Sequence, residues 1–193
     1  VDYKTGTKKL DLKEVYCGLD CQMLLYLFSL TRDASGRFTG AEPAGVLYLL
    51  ADPAPESTTR ANAARSVEYR LDGLVRDEEK IFRAMDAEET GRYLPFGYLR
   101  GAPSPYQKDK RADKAKLSRI QLHLDDLVTR MGEQLYSGCI AAEPLVTGRS
   151  PCRWCDYGFI CCHEDGVGER ALDAPAKPFE PSEDPDKKEE KDP

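Results

Sequence analysis

Residues 112–138 place the firmest constraint on how this chain can fold. Leu117, Ile120, Leu124, Leu127, Met131 and Leu135 recur at intervals of three and four, while Lys114, Lys116, Arg119, Asp125, Asp126 and Arg130 fill the other side. That is the period of an amphipathic α-helix with one apolar stripe. Gly138 supplies the residue that ends it. The stretch reads as a packing helix with a solvated charged face, and His123, which lies within it, reads as structural rather than catalytic.

The elements such a helix packs on are visible upstream. Cys21–Leu30 forms a second helical run, with Asp20 in the capping position; it is apolar almost all round and so is expected to be buried against a sheet. Gln22 and Tyr26 are four residues apart and share one face of it. Gly45–Leu50 is a continuous apolar strand of the kind covered on both faces. Val67–Val75 predicts another strand with a bend at Gly73, and Asp77–Met85 a short helix capped by Asp77. Between these, 7–19 reads as a polar connection, 33–43 as a turn, 51–66 as an exposed loop and 89–112 as an irregular excursion. The pattern is that of an α/β protein.

The chain has 193 residues, 40% of them apolar and 32% charged. That is enough for one domain with a real core. The net charge is −6, which argues against a protein that coats nucleic acid generally, though an acidic body can still bind DNA in a local cleft where divalent metal offsets its carboxylates. Part of the charge is local: residues 177–193 hold four Lys against seven Asp or Glu. From Asp173 onward the composition is Pro-rich and charged and predicts disorder. The longest apolar runs, near Met23–Leu30 and Val46–Leu50, are too short to cross a bilayer. No secretory signal pattern is present, so a cytoplasmic location is expected. A chain opening at Val1 as if in mid-strand is expected to be a fragment of a longer protein.

There are seven cysteines, and without a signal segment they point to metal or redox chemistry rather than a disulfide framework. Four of them fall between Cys152 and Cys162, and Cys152, Cys155 and Cys161 form a C-x2-C-x5-C pattern. The two-residue spacer lets both thiolates turn to one centre, and the third reaches it after a short loop containing Gly158. Tetrahedral zinc and cubane iron–sulfur centres both require four ligands. Spacing leaves the choice between them open. It also leaves open the fourth ligand, for which Cys139, Cys17, Cys21, His163 or a residue upstream of Val1 qualify.

The opening residues, Val1-Asp2-Tyr3-Lys4-Thr5-Gly6, read as the end of a β-strand. Alternation puts Asp2 and Lys4 on one face and Tyr3 on the other. A metal-binding oxygen thus stands beside an ammonium that can orient water or pair with phosphate. There is no internal repeat, no Gly-rich phosphate loop and no Ser-His-Asp arrangement, so hydrolysis built on histidine is disfavoured.

Taken in order, Asp2-x-Lys4, Gln22-x-x-x-Tyr26 and the C-x2-C-x5-C loop resemble the RecB-like branch of PD-(D/E)XK nucleases that carry an iron–sulfur staple. Within that branch the chain is similar to the nuclease domain of AddB-type subunits of bacterial ATP-dependent helicase–nucleases, over about residues 1–165. The run Asp2–Gly6, the strand Gly45–Tyr48 and the Ile140–Pro144 lead into the cysteines add to the likeness. Cas4-type exonucleases share the motifs but are compact. Here Tyr26 and Cys152 are separated by an extra strand and the 89–112 excursion.

The resemblance implies a restriction-endonuclease-like core with a mixed sheet flanked by helices. It divides the chain into a partial nuclease domain (1–148), an iron–sulfur cysteine loop (149–165) and an acidic tail (166–193). It implies a Mg²⁺-dependent deoxyribonuclease, active as an exonuclease on double-strand ends during recombinational repair, with DNA and an AddA-type helicase–nuclease as partners. Asp2 would bind Mg²⁺, with the Tyr3 carbonyl as a further ligand. Lys4 would orient water or stabilise developing charge. Gln22 would hold the DNA strand or the lysine, with Tyr26 beside it. Cys152, Cys155 and Cys161 would hold three corners of a [4Fe–4S] cluster. In that branch the first acidic ligand and first cluster cysteine lie upstream of the matched region, so residues 1–193 alone are expected to be inactive and to bind the cluster incompletely. The rival reading is a zinc- or cluster-stapled binding module without catalysis.

Overall fold

A computed structural model describes residues 9–33, 35–49, 71–91, 93–99, 101–148 and 150–181. Its centre is a three-stranded mixed sheet formed by β1 (Gly45–Leu49), β2 (Leu71–Arg76) and β5 (Arg111–Ala112), in the order β1-β2-β5. β1 runs antiparallel to β2 with Val46 opposite Leu74 and Leu47 opposite Gly73, and β5 joins β2 in parallel. Two short pairs lie outside this sheet. β3 (Tyr98–Leu99) is antiparallel to β4 (Ala102–Pro103), and β6 (Leu145–Val146) is parallel to β7 (Arg170–Ala171).

Period-two alternation sends the two sets of strand side chains into two cores. On one face Val46, Tyr48 and Leu74 pack against Leu24 and Phe28 of α2 (Gln22–Thr31) and Leu117, Ile120 and Leu124 of α4 (Lys114–Tyr136). On the other, Val75 and Leu47 meet Phe82 of α3 (Glu79–Met85), Leu94 and Phe96. Each fully buried aliphatic or aromatic side chain here contributes roughly 1.5–3 kcal/mol of transfer free energy. The sheet is therefore covered on both sides, as the unbroken apolar run of β1 requires, and only Leu49 at its end is largely exposed.

The close approach of β1 to β2 depends on glycine. Gly73 lies in a strand at φ +146, and a Cβ there would stand 2.1 Å from the Val46 carbonyl oxygen. What sequence suggested as a bend is a contact between backbones.

Several expectations change. The 7–19 connection contains a short helix, α1 (Leu12–Tyr16), capped by the Asp11 side chain on the Lys13 amide. α2 begins behind Cys21, not Asp20, and its cap has no side-chain hydrogen bond; Asp20 sits at φ 54 instead. α2 is also not buried all round, since only Leu24 and Phe28 are fully covered. α3 is entered through Glu78 rather than Asp77, because Asp77 bonds outward: its amide donates to the Ala112 carbonyl and its carboxylate takes Arg111. Residues 89–112 are not merely irregular, because Leu94 and Phe96 fill the second core. α4 forms as read, with Asp113 accepting from the Lys116 amide. Its apolar stripe is used only in its first half, however, and Leu135 is 77% exposed. The 51–66 loop and the start of the Val67–Val75 strand lie outside the described residues.

Candidate active site

Helix α2 presents two of the expected site residues together. Leu24 and Phe28, four apart, anchor one side of it in the core. The other side carries Gln22 and Tyr26, whose polar ends meet: the Gln22 amide Nε2 donates to the Tyr26 hydroxyl at 2.8 Å. Tyr26 remains 52% exposed, so the pair faces outward, where a polymeric substrate has access. The Ser29 hydroxyl donates to the Tyr26 carbonyl at 2.8 Å. At the far end of the helix the Arg32 guanidinium forms a two-point ion pair with Asp125 of α4. A fork-to-fork pair of this kind fixes orientation as well as contributing attraction.

A second feature escaped the sequence reading. Asp72 on β2 is buried and accepts the Leu10 backbone amide at 2.6 Å and the Lys110 ammonium at 2.7 Å. Lys110 ends the 3₁₀ turn Pro105–Lys110 that feeds β5. One carboxylate thus ties the sheet to the segment that follows the opening triplet and to the 89–112 excursion. The signal was an Asp inside an otherwise apolar strand, Leu71-Asp72-Gly73-Leu74-Val75, since a charge in such a place is retained only when paired. Its partner, 38 positions on, lay in a stretch with no readable period.

Asp2, Tyr3 and Lys4 lie outside the described residues. The cysteines occupy a short 3₁₀ turn, Pro151–Trp154, and α5 (Gly158–Cys161). Cys152 is half-buried, Cys155 and Cys161 are exposed, and all three are free thiols. Ser150 caps the turn by accepting the Cys152 amide at 3.3 Å, and the Cys155 amide donates to the Cys152 carbonyl at 3.2 Å. Among the described residues no three His, Cys, Asp or Glu converge as a metal-holding group, so the three thiols are not drawn to one point. Cys21, one of the alternatives for a fourth ligand, is buried beside Leu24, and burial pushes its thiol up to about 11. Cys17 is also raised, mainly by desolvation and then by Asp173.

His123 is structural, as expected. Its ring stacks on Tyr16 at 4.6 Å, and its Nε2 lies 2.8 Å from the Tyr16 carbonyl oxygen.

Comparison with known proteins bears directly on this arrangement. The family described as the PD-(D/E)XK nuclease superfamily matches residues 1–162, a span that holds the opening triplet, the Gln22–Tyr26 pair and the three cysteines. Among curated proteins, the B-type subunit of the ATP-dependent helicase/deoxyribonuclease of Thermoanaerobacter sp. (strain X514) is 30% identical over 172 residues, 85% of this chain and 15% of that protein. The protein of the same name from Oceanobacillus iheyensis is 32% identical over 172 residues, 83% of this chain and 15% of that protein. That of Bacillus subtilis is 30% identical over 179 residues, 88% of this chain and 15% of that protein. The chain spans about 15% of the length of these relatives.

Proposed function

Because the chain belongs to the PD-(D/E)XK nuclease superfamily, we propose that it is the deoxyribonuclease portion of a longer bacterial helicase–nuclease protein. That protein would work with an AddA-type partner on double-strand DNA ends. The observation that carries the reading is the outward-facing Gln22–Tyr26 pair, on the first long helix after Asp2-x-Lys4 in a span the family covers.

Phosphodiester hydrolysis needs an attacking water, a polarised phosphate and a way to hold the strand. Asp2 and the Tyr3 carbonyl would hold a Mg²⁺, which would supply the polarisation of the phosphate and the lowered pKa of the water. Lys4 would orient that water or stabilise charge developing on the phosphate oxygens. The Gln22 amide donates to the strand or steadies Lys4, and the Tyr26 hydroxyl, already its partner, fixes the amide's direction. Cys152, Cys155 and Cys161 suit a thiolate-bound centre in donor chemistry, being free thiols within ten residues. A [4Fe–4S] cluster there would cross-link the cysteine loop to a ligand elsewhere in the longer protein.

The test uses the full-length protein with its partner. Lys4→Ala lowers Mg²⁺-dependent cutting of linear duplex by at least ~100-fold, the scale of a lost proton-transfer or charge-stabilising group, with DNA binding retained. Undiminished cutting would refute the assignment. Iron and zinc content of the same protein separates a cluster from a zinc staple.

A further inference from the structure

Composition predicted disorder from Asp173, yet the chain beyond the cysteines returns to the body and is held there. β7 pairs with β6, the Arg170 amide donates to the Pro144 carbonyl at 2.9 Å, and its Nε donates to the Glu143 carbonyl at 3.1 Å. Three residues on, the Asp173 carbonyl accepts the Cys17 thiol at 3.7 Å. The segment Pro178-Phe179-Glu180 then meets α1 and α4 through Phe179 and Glu180. Phe179 is 8% exposed. Its ring stands edge-on to His123 at 5.3 Å and tilted against Tyr16 at 5.7 Å.

The backbone and the next side chain are tied as well. Arg119 Nε donates to the Phe179 carbonyl at 2.6 Å. Glu180 takes the ammonium of Lys116 at 2.7 Å, and that lysine is buried on α4. Phe179 also adopts φ 67, a left-handed conformation that an aromatic residue keeps only where surrounding contacts over-determine it. A segment merely lying on the surface would relax out of it.

We propose that the α1–α4 cleft, formed by Tyr16, Lys116, Arg119 and His123, is a docking site for the chain's own Pro178-Phe179-Glu180 segment. Docking there makes a staple that closes the cysteine loop from its C-terminal side without metal. The anchors at Arg170, Asp173, Phe179 and Glu180 involve none of Cys152, Cys155 or Cys161. The staple therefore holds whether those thiols carry a cluster, zinc or nothing. It also holds α1, through Tyr16, against α4, and α1 leads directly into the helix that bears Gln22 and Tyr26.

Limited chymotrypsin digestion of the full chain tests this, with Tyr157 and Phe159 (81% exposed) as internal references. In the unsubstituted chain those two sites are cut first and Phe179 is spared. The triple substitution Cys152→Ser, Cys155→Ser, Cys161→Ser leaves Phe179 spared. Arg119→Ala with Glu180→Lys, which removes the carbonyl clamp and sets a cation against Lys116, speeds cutting at Phe179 at least tenfold at unchanged far-UV helicity. Glu180→Lys alone, an exposed change, does so more weakly and guards against misfolding of the double variant. The proposal is overturned if Phe179 is cut as fast as Phe159 in the unsubstituted chain, if both charge variants leave it spared, or if losing the three thiols exposes it equally. DNA cutting is not read, so a failed nuclease assignment leaves the outcome unaffected.

Discussion

Removing the Asp72 carboxylate tests whether one buried group holds the sheet to the segment leading from the opening triplet. The side chains of Asp72 and Lys110 are 11% and 19% exposed, and a second carboxylate near Lys110, that of Asp109, is 3.9 Å away and itself 71% exposed. Asp72→Ala leaves a largely buried ammonium with, among the described residues, only the distant Asp109 as a partner, and orphans the Leu10 amide. Breaking a buried pair costs about 3–5 kcal/mol, and the partial exposure of Lys110 favours the lower end. The unpaired amide adds about 1–3 kcal/mol. A total of about 4–6 kcal/mol corresponds to a fall in Tm of about 8–24 °C at this chain length, using roughly 2–4 °C per kcal/mol. Asp72→Asn keeps an acceptor for Leu10 and loses only the charge, so about half that loss is expected. Asp72→Asn combined with Lys110→Met removes the stranded ammonium and recovers stability relative to Asp72→Asn alone. Urea unfolding of the wild-type chain, Asp72→Asn, Lys110→Met and the Asp72→Asn/Lys110→Met double variant gives the coupling directly. A loss under ~1 kcal/mol for Asp72→Ala, or an additive double variant, would contradict the claim that the pair is desolvated and mutually dependent.

Gly73→Ala would place a Cβ 2.1 Å from the Val46 carbonyl oxygen at φ +146, where neither backbone can yield; a loss above ~4 kcal/mol or failure to fold is expected, the range in which strain dominates, and a soluble variant with unchanged Tm would count against the register of β1 on β2. Cys21 should resist iodoacetamide at pH 8 on the metal-free chain while Cys139, Cys155, Cys161 and Cys162 react, because its thiol is pushed up to about 11 by burial first and by Asp20 second. The same shift sets a pH dependence. A raised folded-state value means the stability it supports is complete below the ordinary thiol range near 9 and falls as pH climbs toward 11, since only the unfolded chain ionises there. Cys21→Ala should flatten that alkaline decline, and identical pH–stability curves for the two proteins would remove Cys21 as its source.

What could be read from sequence was whatever a local period announces. The first half of α4 was legible because Leu117, Ile120 and Leu124 repeat with the helix. The second half has the same period but little to pack on among the described residues, so Met131 and Leu135 stay exposed; a stripe states that a face is apolar, not that something covers it. That Gln22 and Tyr26 share one face followed from helical spacing, and their polar ends meet there at 2.8 Å. Capping misled at Asp20 and Asp77, both acceptable cap residues. One is in a left-handed turn and the other is taken by Arg111, and neither competing use leaves a local mark. Asp72 with Lys110 was illegible for a related reason. Each residue is ordinary in its own window, and only the fold makes one the counter-charge of the other.

The C-terminal stretch shows where composition as an argument stops. Disorder follows when a segment cannot bury enough apolar surface to offset its own ordering entropy. That test averages over a window and assumes the window must build its own core. Around Phe179 it need not. The cleft is already formed by helices held for other reasons, the contacts come from residues 60 and 64 positions away, and prolines at 178 and 181 have reduced the entropy to be lost. One aromatic ring then suffices where a free segment would need several. An isolated Phe between prolines in an acidic tail is thus better read as a ligand for the body than as part of a linker, and the positive charge of Lys116 and Arg119 on α4 is the complement such a ligand requires.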